Sequence, residues 1–238
     1  MTNAMPPICL LRERFHRNLD LPYYRELART SAPPVLELGG GTGRVSHALA
    51  RAGFEVVCVE RDAASAMVAR ERATLHGGCM RVRVEDVLAM RMDEPFGLVL
   101  GPSFFEHLGV EAMGGVLARV RGCLRPGGRV AVRVATRAFP DRSDPWRQDA
   151  TLDDGRPVWR ESWTEPAPAA DVVHAHARYH LPDGTTETET LPIRRWGLEA
   201  FRALGAEAGY RVTAQAGDFS GAPLAPGSPF ALFVLERD

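Results

Sequence analysis

Residues 35–44 read Val-Leu-Glu-Leu-Gly-Gly-Gly-Thr-Gly-Arg, a short apolar run that breaks into a glycine-dense turn. Val45, Leu49, Ala50 and Ala52 follow at helical spacing, so the segment reads as strand, loop and helix. Such a loop cradles a nucleotide-like cofactor, and its details select among cofactors. A dinucleotide fingerprint needs Gly-x-Gly-x-x-Gly, the last glycine letting the helix pack close to the sheet. Gly39 and Gly41 fit that pattern, but Arg44 takes the third place. A Walker phosphate loop needs Gly-Lys-Ser/Thr, and the chain has no lysine. What stands is Glu37-x-Gly39-x-Gly41-x-Gly43, with an acid two residues before the first glycine. A carboxylate there suits a cationic amino-acid moiety and repels phosphate.

Four further segments follow in order. Val56–Glu60 (Val-Val-Cys-Val-Glu) reads as a buried strand ending in an acid twenty-one residues after Gly39, where a carboxylate accepts hydrogen bonds from two ribose hydroxyls. Arg81–Asp86 with Val87 reads as a third strand ending in an acid. Phe96–Gly101 is a fourth, running into Pro102-Ser103-Phe104-Phe105-Glu106-His107-Leu108. Leu124-Arg125-Pro126-Gly127-Gly128-Arg129-Val130-Ala131-Val132 turns into a fifth. Together with the glycine loop these motifs resemble those of the class I S-adenosylmethionine-dependent methyltransferases, whose cofactor carries an ammonium, a sulfonium and an adenosine but no phosphate. The resemblance covers residues 20–135 and extends more loosely to the C-terminus. It implies cofactor contacts from Glu37, Gly39, Gly41, Gly43, Glu60, Arg61, Asp86, Val87, Gly101, Pro102 and Phe104, with Asp86 on the adenine. Two positions depart from the family pattern. Gly40 stands where Cys, Ala, Ser or Pro is usual, which predicts a more flexible loop. Gly97 replaces an Asp at the start of the fourth strand and is expected to weaken the strand's edge.

These motifs need a scaffold, and the chain has the size for one. Its 238 residues, 45% hydrophobic, suit a single α/β domain with an embellishment. A formal net charge of −1 does not favour nucleic acid or an anionic membrane as partner. Cys9, Cys58, Cys79 and Cys123 show no metal-ligand spacing, so no metal is expected and a reducing cytoplasm fits. No apolar run reaches the ~18 residues of a membrane helix, and no cationic-then-apolar export signal opens the chain.

From Pro33 strands alternate with helices as far as Thr136, which predicts a doubly wound, Rossmann-like α/β fold. Residues 1–14 read as a loose leader. His16–Thr30 reads as a helix-capable segment starting near Asp20-Leu21-Pro22, and 1–32 as an N-terminal cover. Residues 33–136 are then the cofactor-binding core. Residues 137–157 have loop chemistry, while Val158–Thr164, Val172–Leu181 and Thr185–Arg194 alternate as antiparallel strands about a Pro182-Asp183-Gly184 turn. That makes 137–195 an inserted β-layer on the acceptor side. Residues 196–238 supply a last helix and two closing strands of a seven-stranded sheet.

A sulfonium-bound methyl group is already electrophilic, so the protein need only align a nucleophile about 3 Å away and exclude water. Family resemblance places a small-molecule acceptor among Phe15, His16, Tyr23, Tyr24, Ser103, Phe104, His107, Arg178, His180, Arg195 and Trp196. His107 is the candidate general base, and Tyr24 the residue that closes over the methionine part of the cofactor. His174 and His176 read as solvent-facing strand histidines rather than metal ligands. Arg194-Arg195 is read either as a clamp for an acceptor anion or as a partner of Glu161, Glu187 or Glu189. The expected activity is methyl transfer to a nitrogen or oxygen. The rival readings are a SAM-using cyclase releasing methylthioadenosine, a catalytically silent SAM-binding subunit, and an NAD(P) oxidoreductase, which Arg44 disfavours.

Overall fold

The computed structural model describes residues 7–91 and 94–237. The described residues divide into two compact units, one within 7–18 and 140–194, the other within 19–91, 94–139 and 195–237.

The larger unit is an α/β fold on a mixed sheet with parallel core strands. Strands β1 (Val35–Leu38), β2 (Val56–Glu60), β3 (Met80–Val84), β4 (Phe96–Gly101) and β5 (Leu124–Thr136) lie in the order β3-β2-β1-β4-β5, all parallel. Here β10 (Tyr210–Ala216) and β11 (Phe230–Arg237) close the sheet, β11 antiparallel on β5 and β10 antiparallel on β11. Every residue of β1, β2 and β4 is buried, because helices cover both faces of parallel strands. Helices α2 (Leu21–Arg29) and α3 (Arg44–Arg51) share one core with Val35, Val56, Leu98, Leu100 and Ala131. Helices α5 (Val110–Cys123) and α6 (Leu198–Glu207) share the other with Val99, Val130 and Val132. Helix α4 (Ala63–Ala73) packs Ala69 beside Cys58 and Met80.

Gly97 turns out to be a packing requirement. A Cβ built on it would stand 1.7 Å from the Ala32 carbonyl oxygen, and its amide donates to the Pro34 carbonyl at 3.1 Å. The chain entering β1 therefore lies directly against β4, where no side chain fits, which corrects the expectation of a weakened strand edge.

In the smaller unit β6 (Trp146–Thr151), β7 (Pro157–Pro166), β8 (Val172–His180) and β9 (Thr186–Trp196) pair antiparallel in sequence order. The last two residues of β9, Arg195 and Trp196, belong to the larger unit and pair with Ala135 and Thr136. Two expectations change here. Trp146–Thr151, read as loop, is a strand, since β7 satisfies its backbone residue by residue from Trp146↔Ser162 to Thr151↔Pro157. Within the supposed leader, Ile8–Arg14 forms helix α1, whose Leu11 packs with Val158 and Tyr179; residues 1–6 lie outside the described residues. Helix α1 is fixed by charge as well. Glu189 Oε1 accepts from Tyr179 Oη (2.5 Å) and from Arg12 Nε (3.1 Å).

Candidate active site

The loop between β1 and α3 is shaped from below. Gly39 has φ +62°, and a Cβ there would stand 2.7 Å from the Phe104 ring, so the position requires glycine on both counts. Gly40 has another cause. Its Cβ would stand 2.3 Å from Cys58 Sγ, so the absent side chain complements a thiol on β2 rather than loosening the loop as the sequence reading expected. Arg72 of α4 donates to the Thr42 carbonyl at 3.0 Å and steadies the far side.

Both acids named for this loop are engaged by it. Glu37, 2% exposed, accepts through Oε2 from the Ser46 amide (2.8 Å) and from the Ser46 hydroxyl. Burial pushes its carboxyl up to about 7, against the opposing pull of Ser46 and Arg44. Glu37 therefore supports the loop from beneath. Glu60 Oε2 accepts from the Gly41 amide at 2.8 Å and Oε1 from the Asp62 amide at 2.8 Å, which draws the glycine loop to the end of β2. The Glu85 amide donates to the Glu60 carbonyl at 3.1 Å, so Asp86 follows at the same sheet edge. Asp86 Oδ1 accepts from the Leu88 amide (2.8 Å) and Oδ2 lies 3.9 Å from exposed Arg61, while Val87 is buried in the core.

Helix α2 is pinned at both ends. Asp20 gives its N-terminus no side-chain cap, because the carboxylate is spent on Arg44, at 2.9 and 2.5 Å. The residue that spoils the dinucleotide fingerprint thus ties α2 to the first turn of α3. At the other end Arg129 of β5 donates to the Leu27 carbonyl (3.1 Å) and to the Ser31 hydroxyl (2.6 Å). Tyr23 and Tyr24 are thereby held against Phe219, each ring 6.0 Å from it. Burial pushes the Tyr24 hydroxyl well above its ordinary range, so it stays protonated and can only donate or accept as a phenol.

At the end of β4, Gly101 and Pro102 are buried, Ser103 is exposed and Phe104 half-buried. Phe105–His107 is a 3-10 turn in which Glu106 points inward, 5% exposed, while His107 is half-buried. Arg133 of β5 approaches Glu106 at 3.3 Å.

Residues 35–128 match the family model described as a methyltransferase domain. The larger unit carries that segment with the glycine loop, Glu60 and Asp86 along one sheet edge. The family model thus covers less than half of the chain. No curated protein matches it. Among solved structures it is similar to the CcbJ methyltransferase from Streptomyces caelestis, at 22% identity over 93% of this chain and 90% of that one, TM-score 0.77. The SAM-bound amino pentose methyltransferase CalS10 from Micromonospora echinaspora aligns at 21% identity over 100% of both chains, TM-score 0.75. The sugar N-methyltransferase KedS8 from Streptoalloteichus sp ATCC 53650 aligns at 16% identity over 100% of this chain and 96% of that one, TM-score 0.78. At these identities the likeness is one of fold.

The expected acceptor-side residues fall in both units. Tyr23, Tyr24, Ser103, Phe104 and His107 lie in the larger unit, whereas Phe15, His16, Arg178 and His180 lie in the smaller. His180 stacks on Trp159 at 3.4 Å, and both His180 and Arg178 reach Glu161, at 3.2 and 3.6 Å. His176 stacks on Trp163 and meets Thr190 Oγ1 at 2.9 Å, so it is not the solvent-facing histidine expected from alternation. Arg194 pairs with Asp171, a partner not foreseen. Trp196, expected at the acceptor, is 4% exposed and packs edge-on against Phe201 at 5.8 Å; its ring belongs to the core of the sheet. Sequence reading passed over Asp20, Glu106, Arg133 and Phe219. One signal was available: Arg133 is a cation inside the apolar run Val130-Ala131-Val132-Arg133-Val134.

No helix is long and apolar enough to cross a membrane, and no cluster of three or more His, Cys, Asp or Glu suited to a metal occurs among the described residues.

Proposed function

We propose that this protein is a methyltransferase that uses S-adenosylmethionine to methylate a nitrogen or oxygen nucleophile of a small molecule. The observation that carries the reading is Glu60 bound to the Gly41 amide at the carboxyl edge of the parallel strands. Each Glu60 oxygen holds one backbone N–H, leaving lone pairs for two ribose hydroxyls. Two buried acids beside the loop, Glu37 and Glu60, suit a ligand with a cationic tail and no phosphate. The residues present therefore fit the cofactor. Gly39, Gly41 and Gly43 would offer bare backbone to it, Asp86 with Val87 the adenine end, and Gly101, Pro102 and Phe104 the methionine end. When bound, S-adenosylmethionine supplies an electrophilic methyl group. The chain's part is to orient and to exclude water, which the Tyr23–Tyr24–Phe219 cluster serves. His107 is assigned proton removal from the acceptor or bracing of its loop. The two sugar-acting neighbours support a small polar acceptor.

The test is a thermal shift followed by product analysis. S-adenosylhomocysteine at a hundredfold excess over Kd should stabilise the protein by about 2.7 kcal/mol, whereas NAD(H) and ATP should not. A shift with NAD alone, or methylthioadenosine as the product, would overturn the reading.

A further inference from the structure

Glu106 is a buried carboxylate for which the glycine loop has no use. Its Oε1 accepts from Arg133 Nη1 at 3.3 Å, while Oε2 is enclosed with no hydrogen-bond partner among the described residues. Arg133 is itself stretched thin. Its Nη1 also reaches the Pro102 carbonyl and Ser103 Oγ, each at 3.4 Å, and its guanidinium lies 4.9 Å from the centre of the Phe230 ring. A buried carboxylate oxygen without a donor is costly, and such a group persists where something else supplies the donor.

Its position says where that donor would come from. Glu106 sits two residues beyond Phe104, whose ring abuts Gly39 of the glycine loop. Tyr24 is within electrostatic reach of both Glu106 and Arg133, and Phe219 joins Tyr24 to Phe230 through ring contacts of 6.0 and 5.2 Å. The cluster thus combines one carboxylate oxygen that has no donor with aromatic rings. Carboxylate and aromatic faces together recognise an ammonium and repel an anion.

We propose that Glu106 Oε2 receives an N–H of the acceptor, so that the enzyme methylates an amine in preference to a hydroxyl or carboxylate. This rests on the cofactor reading given above. In the transfer the amine first loses a proton to water. Its lone pair then forms the N–C bond while the C–S bond breaks with its pair left on sulfur. Positive charge passes to nitrogen, and a carboxylate fixed beside that nitrogen stabilises it as it grows. Arg133 is a positioning residue: it holds Oε1 and leaves Oε2 to the acceptor.

Sinefungin tests this without knowledge of the natural acceptor, because it carries an amino group on carbon where the cofactor carries its methyl on sulfur. Calorimetric titration of the whole protein should give a Kd for sinefungin about tenfold or more below that for S-adenosylhomocysteine. Glu106→Gln should remove most of that preference while changing the S-adenosylhomocysteine Kd by less than about threefold. If Glu106→Gln does not fold, Arg133→Met replaces it, and releasing Oε1 should raise the sinefungin preference. Equal affinities in the wild type, or a preference untouched by these substitutions, overturns the assignment of Glu106. Failure of both compounds to bind overturns the cofactor reading itself.

Discussion

Gly40→Ala isolates one contact that shapes the cofactor loop. The new methyl would fall 2.3 Å from Cys58 Sγ, more than an ångström inside the ~3.5–4.0 Å separation of atoms in good contact. Cys58 cannot retreat easily, since it is fully enclosed on β2 and that strand is paired to β1 and β3. Overpacking of this kind costs about 1–3 kcal/mol, which in a chain of this size lowers Tm by roughly 2–4 °C per kcal/mol. Cys58→Ala alone leaves a small void and should cost about 1 kcal/mol, as for loss of a single buried methyl group. Combined, the added methyl occupies the space the sulfur left. The double variant should therefore be about as stable as Cys58→Ala, with a coupling energy near −2 kcal/mol by urea denaturation of the four proteins. S-adenosylhomocysteine affinity should fall in Gly40→Ala and return in the double variant. Costs that add to within about 0.5 kcal/mol would refute the argument, and so would a Gly40→Ala protein as stable as wild type.

Three further outcomes are expected. Gly97→Ala should cost 3 kcal/mol or more, roughly the upper end of overpacking losses, with no single side-chain substitution restoring it, because the obstructing atom is the Ala32 carbonyl oxygen; rescue by any one such change would count against the packing account. Glu37 has a carboxyl raised from 4.5 to about 7 in the folded state, so its contribution to stability is complete below pH ~4.5 and lost as pH rises through about 7. Urea denaturation should show Glu37→Gln gaining on the wild type across that window, by at most about 3 kcal/mol, and a constant difference would disprove the buried titration. Arg44→Met takes from buried Asp20 the guanidinium from which it accepts twice and should cost about 3 kcal/mol, more than Asp20→Asn and Arg44→Met together cost, with weakened S-adenosylhomocysteine binding as α2 loosens; a double variant worse than Arg44→Met would deny the pair.

Much of the fold was legible because its signals are local. An apolar strand breaking into Glu37-x-Gly39-x-Gly41-x-Gly43 demands a turn with bare backbone, and the alternation of apolar runs with helical periods demands parallel strands under helices. Glu60 and Asp86 could be placed at one sheet edge because the end of a parallel strand fixes where a side chain emerges. Pairing that depends on a distant partner was not legible. Trp146–Thr151 is polar and looks like loop, yet becomes a strand because β7 offers it a ladder. Gly40 and Gly97 read as looseness, whereas each marks a place where another part of the chain, Cys58 or Ala32, arrives too close for a side chain. Trp196 looked available and is instead core. Asp20 meets Arg44 across 24 residues and Glu106 meets Arg133 across 27. Sequence alone determined which segments form the parallel core strands and where the glycine loop lies, since those follow from neighbours along the chain. Tertiary structure decided which charges are paired and which carboxylate oxygen is left without a donor, because both depend on atoms that only folding brings within reach.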